Sequence, residues 1–281
     1  MNKLECYDND FFLERFENNF LCFFILQNSD YQSNYLIFES MDVLTLFEDF
    51  KDDAQDISPK IIVIKKYDDF IKIFEILKEN NKLSFLFSEN ESDIVLDELK
   101  KLLEIKVDQT GKFLFRFYDN YIFDFTMKTI INNRKILNLG RYISEWYWND
   151  LHGDIFYIVQ LNLLNSLKSL FLSEDEFKKI NDLVYPFHLI PKFKDYAEYA
   201  QFETNNKDDF DWYHEVMRRI DLAKKRNLYH KRDVDLYAIL SFGLGDDIFN
   251  EGPMNEALDK VLVEGVFLEQ SLNEINLSKL G

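Results

Sequence analysis

Residues 61–87 read IIVIKKYDDFIKIFEILKENNKLSFLF, and they set the first expectation for the fold. This segment opens with the apolar run Ile61–Lys65 and closes with a second, Ser84–Phe87. Both runs are short and rich in the residue types that strands favour. Between them, residues 67–79 repeat apolar side chains at the spacing of an amphipathic helix. A strand, a helix and a second strand in this order are typical of a crossover unit with parallel strands.

The same alternation extends over the rest of the first half of the chain. Further strands are predicted at Phe20–Gln27, Tyr35–Glu39 and Lys112–Tyr118, and further helices at 41–50 and 91–103. For the helix at 91–103, Ser92 or Asp93 is the predicted N-cap. Strands alternating with helices imply a helix-covered sheet. We therefore expect an α/β amino-terminal lobe, residues 1–148, in which a mostly parallel sheet is flanked by helices.

The pattern changes after about residue 150, where helical spacing takes over. Ser173 followed by Glu174 and Glu176 predicts a helix start. Apolar side chains then recur at helical spacing in three further segments, and glycine or proline residues separate the last two. These segments are 208–228, 233–242 and 254–272, and the predicted stop and turn signals are Gly243, Gly245, Gly252 and Pro253. We expect an all-α carboxy-terminal lobe, residues 149–281.

Charge and composition exclude several classes of protein. The chain has 33 Lys and Arg against 51 Asp and Glu, a formal net charge of −18. This charge argues against general binding to nucleic acids or anionic membranes, since both require a cationic face. Cys6 and Cys22 are too few for a disulfide framework and indicate reduced thiols. The first apolar run, residues 20–26, follows acidic residues and not the basic start of a secretory signal. The expected location is the cytoplasm.

Catalytic and cofactor motifs are not apparent in the sequence. The first glycine is Gly111, so no glycine-rich phosphate loop can follow the early strands. The histidines His152, His188, His214 and His230 are widely spaced and lie far from both cysteines, unlike the paired ligands of zinc sites. No pair of carboxylates stands out as an acid–base pair. We predict no catalytic residue, no metal and no cofactor, and an enzyme with dispersed carboxylates is kept as a minor alternative.

Two features suggest binding of other proteins. Aromatic residues form 16% of the chain, and exposed aromatic side chains are common anchors of protein interfaces. Trp146 and Trp148, with Tyr142 and Tyr147, are the candidate anchors, and packing between the lobes is the alternative reading. The second feature is residues 218–232, which have seven basic residues and one acidic residue, Asp221, a local charge of +6.

The basic residues of this segment include the five proposed as partner-binding. They are Arg218, Arg219, Lys224, Lys225 and Arg226, followed by Lys231 and Arg232. The segment either docks an acidic partner or forms a solvated helix face that neutralises nearby carboxylates.

Residues 112–119 read KFLFRFYD, and the core Arg116-Phe117-Tyr118-Asp119 resembles the signature of the adaptor chaperones of bacterial type VI secretion systems (the Tap or TEC family). Tyr35–Glu39 looks like an early strand of this family, and Ser58-Pro59 looks like the entry to its next strand. The helix at 91–103 lies in the corresponding order, and Leu244-Gly245 with Phe249 and Pro253 matches a weaker pattern. The resemblance covers roughly residues 35–140. The sequence departs from the family pattern at Asn120, where proline is frequent, and at Glu39, where aspartate is usual.

The resemblance implies a function without catalysis. Such adaptors bind a toxic effector in the bacterial cytoplasm, keep it soluble and deliver it to the spike protein VgrG. Arg116, Tyr118 and Asp119 are then candidate partner-binding residues. In a strand, Arg116 and Tyr118 face one side, and Arg116 can pair with Asp119 to fix the following turn. The alternative function is an immunity-type inhibitor, an acidic protein that occludes the active site of a toxin.

Overall fold

The structure is a computed structural model that describes residues 2–5, 9–47, 57–132, 142–159, 170–202, 207–250 and 252–274. The chain divides into two compact units, Met1–Asn181 and Asp182–Gly281. The domain boundary predicted at 148/149 falls inside a strand, Glu145–Asn149. That the segments on either side of 148/149 fold independently stays a prediction, because a division into compact units does not test independent folding.

Unit 1 contains a seven-stranded sheet in the order β1-β9-β8-β5-β2-β4-β3. Its strands are β1 Asn2–Lys3, β2 Leu21–Leu26, β3 Asp42–Thr45, β4 Lys60–Ile64, β5 Ser84–Ser88, β8 Glu145–Asn149 and β9 Ile155–Val159. Every pair of neighbours in this sheet is antiparallel. The expectation of a mostly parallel sheet is therefore wrong.

The physical reason for this error is a strand inserted into the crossover unit. β4 and β5 run in the same direction, as is usual for two strands joined by a crossover helix. However, β2 lies between them and is antiparallel to both, with Phe23 opposite Val63 on one side and Leu86 on the other. The local strand–helix–strand pattern is thus correctly predicted, but its two strands are not neighbours.

A smaller sheet in unit 1 has the order β10-β6-β7, with β6 antiparallel to β7 and parallel to β10. Its strands are β6 Glu104–Val107, β7 Gly111–Leu114 and β10 Leu170–Leu172. β9 and β10 belong to the part of the chain predicted to be helical, so the lobe 149–281 is not all-α. β9 pairs with β1 and β8, and β10 pairs with β6. The spacing of apolar residues along the chain carries no information on such long-range pairing.

Helices in the described part of unit 1 confirm some predictions and correct others. They are α1 Asn9–Glu17, α2 Asn28–Ser33, α3 Tyr35–Phe38, α4 Tyr67–Glu79, α5 Ser92–Leu102, α6 Asn120–Asn132 and, crossing the boundary to unit 2, α7 Glu174–Val184. α4 and α5 confirm the predicted helices, although the N-cap of α5 is Glu91. The strand predicted at Tyr35–Glu39 is instead the short helix α3, and the helix predicted at 41–50 contains β3.

Helices cover both faces of the large sheet. On one face, Phe12 of α1 lies among buried rings of α4 and the sheet, with ring centroids 5.1 Å from Phe70 and 5.5 Å from Phe85. Cys22 is buried in the same cluster, and burial raises the pKa of its thiol well above the usual range. Cys6 lies outside the described residues. On the other face, Phe123 of α6 stacks on Trp146 at 4.5 Å.

In the described residues of unit 2, all regular secondary structure is helical. Its helices are α8 Ile190–Tyr199, α9 Asp209–Lys225, α10 Lys231–Leu244, α11 Gly252–Glu264 and α12 Leu268–Glu274, with short 3-10 turns at Tyr185–His188 and Asp246–Phe249. The predicted helix at 254–272 is thus two helices. Gly243 lies inside α10 and does not end it. Close packing accounts for glycine at this position, because the ring of Tyr196 occupies the space that a β-carbon would fill. Gly245, with φ +96°, is the residue that ends this helix.

The predicted start of α7 is confirmed in detail. The backbone N–H of Glu176 donates to Ser173 Oγ at 3.3 Å, and the backbone N–H of Ser173 donates to Glu176 Oε2 at 2.8 Å. These reciprocal bonds form a capping box, which satisfies two backbone donors at a helix entrance.

Candidate partner-binding surfaces

The segment that carries the family resemblance is a turn leading into a helix. β7 ends at Leu114, so the predicted strand Lys112–Tyr118 is shorter than expected. The predicted alternation is nevertheless present, since Phe115 and Phe117 are buried whereas Arg116 is exposed and Tyr118 is half-buried. The two phenylalanines anchor the segment to the core, and the polar side chains remain at the surface.

Asp119 holds this turn together. Arg116 Nη2 donates to Asp119 Oδ2 at 3.3 Å, and the backbone N–H of Asp119 donates to the carbonyl of Arg116 at 2.9 Å. Asp119 Oδ1 also accepts from the backbone N–H groups of Tyr121 and Ile122, at 3.2 and 3.3 Å. The predicted Arg116–Asp119 pair is therefore confirmed, and Asp119 in addition caps α6.

Tyr118 lies beside the exposed guanidinium. The guanidinium carbon of Arg116 is 6.0 Å from the ring centroid of Tyr118, and the ring of Phe47 contacts Tyr118 edge-on at 5.9 Å. Burial raises the pKa of the Tyr118 hydroxyl, and Arg116 offsets part of that rise. The side chain is therefore a neutral phenol at physiological pH, with its ring pre-positioned by two neighbours.

Asn120, where the sequence departs from the pattern that it resembles, is buried and has a structural role. Its Nδ2 donates to the carbonyl of Leu83 and to Asn149 Oδ1, both at 2.9 Å. The backbone N–H of Leu83 donates to the same Asn149 Oδ1 at 2.7 Å. The start of α6 is thereby tied to the chain entering β5 and to the end of β8. A cavity of about 10 Å³ behind this turn has room for one water molecule at most.

Trp146 and Trp148 have no exposed surface. Both lie on β8 and are fully buried. Trp146 Nε1 donates to Ser84 Oγ at 3.2 Å, and Trp148 Nε1 donates to Asp124 Oδ1 at 3.0 Å. Buried indoles with satisfied N–H groups cannot anchor a partner directly. The contacts of both tryptophans given above lie within unit 1, whereas the alternative predicted from the sequence was packing between the two lobes. Phe117 contacts Trp146 edge-on at 5.7 Å, so this tryptophan packs against the turn formed by residues 116–119, which we call the signature turn.

Part of the basic segment is neutralised within the chain. Glu215 Oε1 accepts from Arg218 at 3.1 Å and from Arg219 at 3.0 Å, and both arginines also pair with Asp246. Burial alone would raise the pKa values of Glu215 and Asp246, but the arginines outweigh it and lower both pKa values below their usual range. Arg219 is itself buried and donates to the carbonyl of Ser241. These two arginines therefore match the alternative in which the segment neutralises nearby carboxylates.

The remaining predicted cations lie at the end of α9. Lys224 and Lys225 are exposed, and neither forms an ion pair with any residue that the structure describes. Arg226 donates to the side-chain amide oxygen of Asn250, a neutral partner. The structure thus separates a neutralised pair of arginines from three cations that have no carboxylate partner among the described residues.

A buried charge cluster was missed at the sequence level. Lys128 Nζ lies 2.8 Å from Asp124 Oδ2 and 3.1 Å from Asp150 Oδ2, and both carboxylates are buried. Burial raises the pKa of Asp124, although Lys128 and Trp148 oppose this rise. The i,i+4 spacing of Asp124 and Lys128 could have indicated their ion pair from the sequence. No sequence pattern links either residue to Asp150. In the described ranges, no group of three or more histidine, cysteine or acidic side chains could hold a metal ion.

Comparisons with known protein families, with curated proteins and with solved structures find no match to this chain. Within the described residues, no helix combines the length and the apolar character needed to cross a bilayer.

Proposed function

We propose that this protein is a non-enzymatic adaptor that binds other proteins, of the kind represented by the type VI secretion adaptor chaperones. In this role it binds an effector in the bacterial cytoplasm and delivers it to the VgrG spike. The observation that carries the proposal concerns Arg116, Tyr118 and Asp119. The residues that carry the family resemblance are held in one fixed turn at the protein surface.

The chemistry of this turn suits protein recognition. Arginine and tyrosine, together with tryptophan, are the residue types enriched among energetically dominant interface contacts. The Arg116 side chain is 44% exposed, and both the carboxylate of Asp119 and the ring of Tyr118 restrict its motion. Because the free protein already holds the side chains in place, binding loses less conformational entropy.

Co-purification from cells that naturally express the protein, followed by mass spectrometry, tests the proposal. The wild-type chain is compared with Arg116→Glu/Tyr118→Ala and with a control, Lys106→Glu/Tyr199→Ala, which makes the same types of substitution at two exposed positions. We expect the wild type and the control to retain a secreted effector and a spike protein. The Arg116→Glu/Tyr118→Ala variant should lose at least one of them while its circular dichroism spectrum is unchanged.

Other outcomes contradict the adaptor function. Recovery of a toxin domain alone, together with protection of cells that express this toxin, identifies an immunity-type inhibitor. Equal retention of all partners by both variants shows that the signature turn is not the binding surface. Gene order gives an independent check, since adaptor genes are expected between a spike gene and an effector gene, whereas immunity genes follow the toxin gene.

A further inference from the structure

The connection between α9 and α10 forms a compact basic surface, which we call the basic corner. It comprises residues 224–232, with the sequence KKRNLYHKR and no acidic residue. Lys224, Lys225, Lys231 and Arg232 are exposed, and Tyr229 is 76% exposed between them in sequence. Such a concentration of positive charge is unusual in a chain of net charge −18.

Most of this charge is not compensated by other parts of the described structure. Lys224 and Lys225 have no carboxylate partner there, and Arg226 contacts two neutral groups, the side-chain amide of Asn250 and the hydroxyl of Tyr237. Lys231 lies over the ring of Tyr185, with its Nζ 5.0 Å from the centroid. Arg232 differs, because it pairs with Glu269. The excess charge of segment 218–232 thus lies in the basic corner and not at the neutralised arginines of mid-α9.

Helix stability explains the cations at the end of α9 but not those at the start of α10. Lys224 and Lys225 lie in the last turn of α9, where the helix dipole favours positive charge. Lys231 and Arg232 lie in the first turn of α10, where the dipole disfavours it. Positive charge at both ends of one connection is therefore not accounted for by the helices themselves.

The backbone of the basic corner is well defined. Asn227 adopts φ +61°, its N–H donates to the carbonyl of Lys224 at 2.9 Å, and the N–H of Leu228 donates to the carbonyl of Ala223 at 3.1 Å. This pair of bonds is a Schellman motif with asparagine in the left-handed position. Leu228 is buried beneath the turn. The backbone that carries the cations is consequently pre-organised, so binding does not have to order it.

We propose that the basic corner binds an acidic polypeptide segment of a partner protein, with Tyr229 as its apolar contact. The inference rests on the proposed adaptor function and names the surface and the partner chemistry for it. A polypeptide fits better than a nucleic acid or an anionic membrane, because those ligands extend phosphates far beyond the corner. The rest of the chain, with its large excess of carboxylates, repels such extended anions. A short acidic segment contacts the corner alone.

Fluorescence anisotropy with a labelled peptide, in which glutamates flank a phenylalanine, tests the inference. The test variant is Lys224→Glu/Lys225→Glu/Lys231→Glu. The control is Lys72→Glu/Lys178→Glu/Lys179→Glu, which makes the same charge change at three exposed lysines on α4 and α7. We expect the wild type and the control to bind within about twofold of each other, and the test variant to bind at least about tenfold more weakly. Added salt should weaken the wild-type complex.

Several results overturn the inference. They are no binding of the peptide by the wild type, equal weakening by both variants, and tighter binding of oligothymidylate or phosphatidylglycerol vesicles through the same lysines. Co-purification with the test variant separates this inference from the proposed function. If this variant retains both the effector and the spike protein, the proposed role of the basic corner is refuted and the adaptor function is not. If the acidic peptide binds through the basic corner but the wild type recovers neither effector nor spike protein, the proposed role of the corner is supported and the adaptor function is refuted.

Discussion

At the scale of single residues, Asp119 links the fold to the candidate surface. Its carboxylate accepts two backbone N–H groups at the start of α6 and also contacts Arg116. The capping contacts stabilise the helix, whereas an ion pair this exposed contributes little to stability. One side chain thus fixes a buried helix entrance and the direction of an exposed arginine.

Substitution of Asp119 separates these two roles. We expect Asp119→Ala to lower the free energy of unfolding by about 1–2 kcal/mol, since the cap is lost. Asp119→Asn keeps an N-cap acceptor and should lose less than about 1 kcal/mol. Urea denaturation measures both values, with Asp97→Ala at an exposed position of α5 as the control. Equal losses for the alanine and asparagine variants would show that charge, and not capping, is the stabilising property.

The side-chain environment of the tryptophans was partly predictable from the sequence. Trp146, Tyr147 and Trp148 are consecutive and all fully buried. Strands with one solvated face alternate apolar and polar residues, whereas strands covered on both faces are continuously apolar. The three consecutive aromatic residues of β8 match a strand covered on both faces, but no strand was predicted there, and the sequence left packing and partner binding open. Tyr147 stacks on Phe85 at 4.8 Å on one face, and the tryptophans contact Phe123 on the other.

At the scale of elements, local patterns predicted the strands and helices with long or strongly periodic sequences. β2, β4, β5, α4 and α5 lie close to their predicted positions. The four-residue run of α3, YLIF, is too short for its period to distinguish a helix from a strand. The insertion of β2 between β4 and β5 is a long-range pairing, and no local spacing reports it. Sheet topology therefore could not be predicted even where its strands could.

The ion pairs between α9 and the turn after α10 make the stability of unit 2 sensitive to acid. The lowered pKa values of Glu215 and Asp246 mean that folding favours their ionised forms. This contribution is present above the unfolded-state pKa values and is lost as the pH falls through the lower folded-state values. We expect Asp246→Asn to lose stability at about pH 5 and to show a smaller further loss at about pH 3 than the wild type.

Urea unfolding at both pH values measures this difference. Asp247→Asn is the matched control, because Asp247 is the exposed neighbour and has no cationic partner among the residues described. The control should keep the acid sensitivity of the wild type. An Asp246→Asn variant with undiminished acid sensitivity would contradict the assigned role of the Arg218–Asp246 and Arg219–Asp246 pairs.

At the scale of the whole molecule, the two compact units determine which fragments should fold. Unit 2 has its own buried core, with Trp212, Val216, Tyr237, Phe249 and Leu268 all nearly inaccessible to solvent. Fragment 182–281 retains this core, so we expect a soluble, helical and cooperatively unfolding protein. Fragment 149–281, the lobe predicted from the sequence, carries β9 and β10 but lacks β1, β6 and all of β8 except Asn149, the strands with which β9 and β10 pair.

Fragment 149–281 is expected to aggregate, because separation from β8 and β6 exposes apolar strand edges. Size-exclusion chromatography and circular dichroism of both fragments measure the difference. Fragment 173–281 is an informative third case, since it keeps the capping box and all of α7. If it folds and 182–281 does not, the folding boundary lies before α7. A monomeric, cooperative 149–281 fragment would instead support the boundary at 148/149, and the pairing of β9 with β8 would then be dispensable for that fragment.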